Sequence, residues 1–507
     1  MTTLTTNMSG GTAYAMSDVY ALFHYAVLGV AGTVSEGQAA NLKRLAELAK
    51  PVSREHVAKI AVYARESGAM KDTPIALLAY LASIRAHYYV TVIFDRVIQN
   101  TQDLRKFVTY MRNGSFGVKS LGTFTKKTIA NWLNKQSAEN LYWQSIGVAD
   151  MSMGDVIKLA HPKPIDAEHC AMYAHFIGQN LPEEYMSPQM KRFEDFKKDP
   201  NGLIPVGVPL MKYMSLMRTS EQWKQAAQRM SWNQLRLNLN NLAKHGVFQD
   251  PELKAFVMSR LSQFDLIPNT VWPIAIYTTL KNVHPSVPSE VTTVLDKACT
   301  YLLKKAPDFG DKKTVVFVDV SGSMGGMIHT SKQTSIRYKD IAMLYAAAIA
   351  KSNKNADVYT FDTTVKNLVQ FNKQDTIQHM IQKIPFNGGG TAVSSTLEYL
   401  IDHNLDYDNI IIISDNESWA DRSPWNIRKK EYTSLSTYWN EYLKTHPNSK
   451  LALIDIEPRI SASQIQESAS TFNISGYSDA TFLALGMFMK EEQLDTVYGL
   501  LNDIKLV

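Results

Sequence analysis

The run Thr314-Val315-Val316-Phe317-Val318 is apolar at every position, the pattern of a strand buried on both faces, and it gives out directly into Asp319-Val320-Ser321-Gly322-Ser323. A carboxylate and two hydroxyls therefore sit at the carboxyl end of a core strand. Two later segments repeat the arrangement: Gly388-Gly389-Gly390-Thr391 offers a hydroxyl on a glycine-rich loop, and Ile410 to Ile413 ends in Ser414-Asp415. In an open parallel α/β sheet, ligands gather beyond the carboxyl ends of the strands. Asp319, Ser321, Ser323, Thr391 and Asp415 are thus a candidate all-oxygen metal site, suited to a hard divalent cation, Mg²⁺ before Ca²⁺ or Mn²⁺. Its two carboxylates no more than balance a divalent charge and its hydroxyls are weak neutral ligands, so the cation keeps water or a position open to an incoming carboxylate or phosphate. The plainer alternative is that Asp319 and Ser321 cap one helix and Thr391 another.

Around these loops, strand patterns at Thr314 to Val320, Asp357 to Phe361, Ile410 to Ile413 and Lys450 to Ile456 alternate with helical stretches such as Asp340 to Lys351 and Val393 to His403. That alternation implies a doubly wound sheet. The glycine loop lacks the Gly-Lys-Ser/Thr ending of a nucleotide-binding loop. Ser323 has Ser321, not glycine, two residues before it, so it is no nucleophile elbow.

The first 300 residues read differently. Apolar residues recur at three- and four-residue spacing over Glu55 to Glu66, Thr73 to Ala86, Thr91 to Ile98, Ala167 to Ile177, Trp223 to Met230, Trp232 to Lys244 and Val291 to Lys304, with prolines and glycines between. Paired helices over this length imply an α-solenoid of HEAT-like pairs with a surface left free for a partner. Residues 1–308 carry a net charge of roughly +9 and the remainder roughly −4, so the helical half is the one to hold a polyanion. Between Arg105 and Lys135 stand Arg105, Lys106, Arg112, Lys119, Lys126, Lys127 and Lys135 without one acidic residue, interleaved with Phe107, Tyr110, Phe116, Phe124 and Trp132. Such a mixture either neutralises phosphates and stacks bases, or is a solvated helix face whose aromatics turn inward.

With 507 residues, 45% of them hydrophobic, the chain can bury the cores of two or more domains. Two cysteines, Cys170 and Cys299, make neither a disulfide framework nor a zinc site, and a reducing, cytoplasmic setting is expected. Met1 to Ser17 has no basic leader, and Ala21 to Gly32 is too short to span a bilayer.

The order Asp319-x-Ser321-x-Ser323, Thr391, Asp415 resembles the metal-ion-dependent adhesion site of von Willebrand factor A-type domains. The helical half resembles the TROVE module of the Ro autoantigen family, in Lys71-Asp72-Thr73-Pro74-Ile75-Ala76-Leu77-Leu78, Asp103-Leu104-Arg105-Lys106-Phe107-Val108-Thr109-Tyr110, Lys126-Lys127-Thr128-Ile129-Ala130-Asn131-Trp132-Leu133, Leu159-Ala160-His161-Pro162-Lys163-Pro164 and Ser231-Trp232-Asn233-Gln234-Leu235. Asp415-Asn416-Glu417-Ser418-Trp419 extends the resemblance into the A-type part. The fold class it implies is an α-helical HEAT-like repeat ring, a toroid, followed by an α/β doubly wound von Willebrand factor A-type domain. The expected divisions are a flexible tail over 1–15, the TROVE domain over 16–308 and the A-like domain over 309–507.

The family resemblance further implies a non-catalytic, monomeric protein that binds single-stranded 3′ ends of misfolded RNAs and small Y-type RNAs, with an exoribonuclease as a possible partner and no membrane association. Carried onto this chain, its RNA-binding residues are Lys119, Lys126, Lys127 and His161, with Arg112 and Lys135 beside them. Taken alone, His161 before Pro162 reads as a helix-end residue. The loop Gly117 to Phe124 is poorer in arginine than the family pattern. Two other readings compete: a metal-dependent protein-binding adaptor, and a Mg²⁺-dependent phosphatase in which Asp319 is the nucleophile. Dehalogenase-type phosphatases need a second acid two residues later, where this chain has Ser321.

Overall fold

A computed structural model of the protein describes residues 4–6, 12–15, 17–28, 37–68, 70–147, 151–269, 271–303, 306–328, 336–372, 375–386, 388–415, 434–456, 462–463, 465–466, 468, 470–475, 479–489 and 496–506. Of the sequence motifs, Asn416 to Trp419 lie outside the described residues. The chain divides into two compact units. One comprises Glu36–Pro268, Val283–Val294 and Lys505–Val507; the other comprises Met1–Ser35, Asn269–Asn282 and Leu295–Ile504.

The described residues of 37–268 contain helices and no strand. Helix starts are set by capping side chains: Ser53, Asn100, Ser137, Asp166, Ser187 and Asp250 each accept a hydrogen bond from a backbone N–H of the first turn, and Ser152, Thr219 and Ser231 form full capping boxes. Sequence neighbours pack on one another, Arg54–Glu66 on Thr73–Ser83 and Thr123–Lys135 on Met153–Ala160, the local wiring of a solenoid. Two tryptophans tie helices together: buried Trp132 donates from Nε1 to the Ile98 carbonyl at 3.0 Å, and Trp232 does the same to Leu261 at 2.9 Å. Trp232 to Lys244, one helix by periodicity, is two, Trp232–Leu237 and Leu239–Lys244. At the break the Asn238 side chain donates to the Gln234 carbonyl at 2.9 Å, a local bond that competes with the helix ladder. The helix from Thr73 stops at Ser83 because Arg85 turns left-handed (φ 58°) and the Ala86 N–H returns to the Leu81 carbonyl.

The described strands are β1 (Leu4–Thr6), β2 (Thr12–Ala15), β3 (Thr314–Asp319), β4 (Ala356–Phe361), β5 (Val365–Leu368), β6 (Asn409–Ser414), β7 (Lys450–Asp455), β8 (Ala462–Ser463) and β9 (Thr471–Ser475). Six form one sheet in the order β5-β4-β3-β6-β7-β9, parallel except for the hairpin strand β5. Every residue of β3 and β6 is buried, as the unbroken apolar runs require. Val315, Phe317, Ile410, Ile412, Leu451 and Leu453 meet Val393, Leu397, Leu400, Trp439 and Tyr442 from the helices Ser394–Asp402 and Leu435–Thr445 in one core. The chain leaves β3 toward β4 on one side and returns to β6 on the other, so the crevice between the ends of β3 and β6 is the topological switch point.

Two expected boundaries are corrected. Leu4–Thr6 and Thr12–Ala15 lie in an antiparallel sheet with β8 rather than in a free tail. Helix Pro273–Asn282 groups with the sheet unit, on the sheet side of the expected cut at 308/309: Tyr277 donates its hydroxyl to Asp340 at 3.3 Å, and the buried Cys299 thiol lies 3.5 Å from the Pro273 carbonyl. A buried phenol needs such a partner, and Asp340 of the sheet unit supplies it.

Candidate functional site

At the end of β3, Asp319 is fully buried. Its Oδ1 accepts from the Ser321 N–H at 2.8 Å and its Oδ2 from the Ser414 hydroxyl at 2.6 Å. Ser321 Oγ lies 3.2 Å from Ser323 Oγ. The glycine loop is drawn over this turn by two backbone bonds, Gly322 N–H to the Gly389 carbonyl at 2.8 Å and Gly388 N–H to the Val320 carbonyl at 3.0 Å. Gly388 is left-handed (φ +69°), which favours glycine, while Gly389 is needed for space. A Cβ there would meet Asp362 Oδ2 at 2.9 Å, and Asp362 is held by the Thr364 N–H and by Lys366 at 3.0 Å. Gly389→Ala should therefore destabilise the protein by about 1–2 kcal/mol, read as a lower denaturant midpoint at unchanged slope; an unchanged midpoint would show that the loop swings away freely.

Thr391 and Asp415 are buried at the same sheet end. Burial first, and then the charge of Asp415, raise the Asp319 pKa to about 7 against the hydrogen bonds from the serines. The capping alternative is not what these residues do. The short helix Ser323–Gly325 and the helix Ser394–Asp402 both begin without a side-chain cap, and at the start of Tyr338–Ser352 it is Asp340 that accepts from the Arg337 N–H at 2.8 Å. No group of three or more His, Cys, Asp or Glu side chains able to hold a metal occurs among the described residues, so a cation at this sheet end would depend on the hydroxyls. Ser414 escaped sequence reasoning. Its signal is a lone hydroxyl closing the four-isoleucine run of β6, in register to meet Asp319.

On the helical unit, the basic stretch is sorted by packing. Phe107, Tyr110 and Trp132 are buried; Phe116 packs edge-on to Tyr80, and Phe124 stacks on His87 at 4.0 Å. The inward-turned alternative therefore holds for Phe107, Tyr110 and Trp132, whereas Phe116 and Phe124 stay half-buried. Arg105 is buried as well, Lys106 pairs with Asp72, and Lys135 pairs with Asp95 at 2.5 Å. Lys119, Lys126 and Lys127 make no ion pair among the described residues, and Arg112 is exposed. The helix Thr123–Lys135 opens at Gly122 with no side-chain cap and no acidic residue in its first turn, and Lys126 and Lys127 follow at once. Positive side chains at the positive end of a helix oppose its dipole. His161 ends the helix Met153–Ala160 in a left-handed conformation (φ 51°) and is exposed. Asn134 donates to the neighbouring Lys163 carbonyl at 2.9 Å. The His161 loop thus lies by the far end of the Thr123–Lys135 helix, about 12 Å along its axis from Lys126. Lys135 shares that far end; Lys119 shares the near one, its stem lying over Gly114.

Residues 313–488 match the family model of the Ro60 vWA domain. That region is similar to the Ro60 vWA domain. A crystal structure of the Ro (RSR) protein of Deinococcus radiodurans has the same fold, with a TM-score of 0.66 at 16% identity, covering 94% of this chain and 100% of that one. The Ro resemblance of the A-type part is borne out by the family model, and a helical region followed by a vWA-like α/β domain by the shared fold. No curated protein matches the sequence. No helix among the described residues is long and apolar enough to cross a membrane.

Proposed function

We propose that this chain is a non-catalytic, monomeric RNA-binding ring protein of the cytoplasm. Its helical unit takes single-stranded 3′ ends of misfolded RNAs and small Y-type RNAs, in RNA quality control or small-RNA stabilisation. The observation that carries this reading is the start of the Thr123–Lys135 helix: backbone N–H groups without a side-chain cap, with Lys126 and Lys127 unpaired by any carboxylate among the described residues. A phosphate satisfies the N–H groups and both charges at once. Lys119 and Arg112 extend the patch, and His161 with Lys135 forms a second contact farther along the helix. Because Phe107, Tyr110 and Trp132 are buried and Phe116 and Phe124 are engaged by Tyr80 and His87, affinity rests on phosphate neutralisation, which makes it salt-sensitive and indifferent to base sequence.

The vWA-like domain fits a divalent cation, Mg²⁺ first. Asp319 and Asp415 would supply the charge, and Ser321, Ser323 and Thr391 the neutral oxygens. A bound cation would offset the repulsion between the two carboxylates and offer a coordination position to an acidic group of a protein partner, such as an exoribonuclease. Ser321 occupies the place where phosphatase chemistry wants an acid, which supports the non-catalytic reading.

Electrophoretic mobility of a small structured RNA with and without a single-stranded 3′ tail tests the RNA function. Tighter binding with the tail, falling as salt rises, is expected; equal, salt-insensitive binding of both RNAs would remove the ring reading.

A further inference from the structure

The helical unit holds an open cavity of about 790 Å³ whose walls include Ser220, Lys224, Lys244, His245 and Glu252, none of which has a part in the function above. Local sequence builds it. Lys224 stands one turn into the helix Ser220–Arg229, on the face of Ser220, and Lys244 ends the helix Leu239–Lys244. The chain then turns through Gly246, left-handed at φ +73°, where a side chain would be strained. The short helix Val247–Gln249 follows and leads to Asp250, the cap of the helix Pro251–Ser262. Because Ser220–Arg229 packs on both Val247–Gln249 and Pro251–Ser262, side chains from three segments share one opening.

Their bonding capacity is unspent. Among the described residues Lys224 and Lys244 make no ion pair, the Glu252 carboxylate meets no cation, and neither ring nitrogen of His245 has a hydrogen-bond partner. Asp250, by contrast, is committed to the Glu252 and Leu253 N–H groups at 3.0 and 3.2 Å. His245 is fixed by stacking on the buried Trp223, with ring centroids 5.0 Å apart and planes 6° from parallel. Burial first, and then Lys244, hold its pKa below the ordinary value, so near pH 7 the ring is neutral, with one donor and one acceptor nitrogen.

We propose that this cavity binds one nucleoside monophosphate, either free or as the phosphorylated 5′ end of an RNA strand. The ammonium groups of Lys224 and Lys244 take the phosphate. A ligand anionic throughout would be repelled by Glu252, so the rest of the molecule is uncharged and carries donors: ribose hydroxyls or a base amino group supply what Glu252 lacks. The imidazole held on Trp223 gives the base an aromatic neighbour with a polar edge. The volume falls in the range of sites for molecules of this size and far exceeds what a bare phosphate fills.

Equilibrium dialysis of the full chain against radiolabelled adenosine 5′-monophosphate tests the site. Saturable binding is expected, weakened on the order of 10-fold or more by Lys224→Met and by Lys244→Met and kept by the two Lys→Arg variants. Should half-buried Lys224 prove necessary for folding, exposed Lys244 decides. Ribose 5-phosphate should compete about 10-fold more weakly than the nucleotide, because it lacks the base; equal competition would overturn the nucleoside assignment. His245→Ala should weaken the nucleotide and leave ribose 5-phosphate unchanged. The source is decided by displacement: a 5′-phosphorylated oligoadenylate that displaces the nucleotide, where its 5′-hydroxyl counterpart does not, assigns the site to an RNA end, and failure of both assigns it to free nucleotide. The RNA arm rests on the RNA-binding reading, whereas the free-nucleotide arm stands if the chain binds no RNA. Absence of saturable binding, or equal binding by the parent and Lys244→Met, would refute the site.

Discussion

Lys126→Ala combined with Lys127→Ala should weaken binding of tailed RNA on the order of 10–100-fold near 0.1 M salt, with the slope of log K against log salt smaller by about 2. Each lysine that meets a phosphate releases roughly one counterion, so the loss is concentrated at low salt and vanishes toward 1 M. Stability should move the other way. Lys126 and Lys127 follow directly on the first turn of Thr123–Lys135 with no acid near the helix start, so removing them relieves the dipole by a few tenths of a kcal/mol each. A double variant that binds weakly and melts lower would point to damage of the fold instead. Asp319→Ala, in the sheet unit, should leave RNA affinity unchanged. Equal RNA loss from both changes would tell against the separation of the two roles.

The second large effect concerns the buried carboxylates of the vWA-like domain. The folded pKa of Asp319 is raised to about 7 from an unfolded value near 4. Its contribution to stability in cation-free protein is therefore fully present below about pH 4 and is lost as pH rises through 7. Asp319→Asn keeps the shape: the amide oxygen can still accept from the Ser321 N–H and the amide nitrogen can donate to Ser414 Oγ. With chelator at pH 8 this variant should be more stable than the parent, on the order of 2 kcal/mol, and the difference should disappear at pH 4. Millimolar Mg²⁺ should raise the parent melting temperature at pH 8 and leave Asp319→Asn unmoved. A parent whose melting ignores Mg²⁺, with the variant no more stable under chelator, would remove the cation site.

Much of this was legible in the sequence because it depends on neighbours along the chain. The all-apolar runs of β3, β6 and β7 appear within a residue or two of their predicted ends, since burial on both faces leaves no other reading. Asp319-x-Ser321-x-Ser323 could be placed at a strand end for the same reason. Ser414 could not be assigned a task, because its hydroxyl reaches Asp319, 95 positions away in sequence, only through strand register. Asn238 breaks a helix that periodicity runs straight through, as a polar side chain bonding to its own backbone leaves no trace in the hydrophobic pattern.

The sequence by itself determined the two kinds of architecture, the order of the oxygen donors and the excess of positive charge in the helical half. Those follow from periodicity, turn chemistry and composition, which are local. Tertiary structure alone decided which of the seven basic residues between Arg105 and Lys135 remain available: it spends Lys106 on Asp72 and Lys135 on Asp95, buries Arg105, turns Phe107, Tyr110 and Trp132 inward and leaves Lys119, Lys126 and Lys127 without carboxylate partners among the described residues. An ion pair between positions 34 or 40 residues apart exists only once helices have packed, so charge can be counted in a sequence but not assigned there.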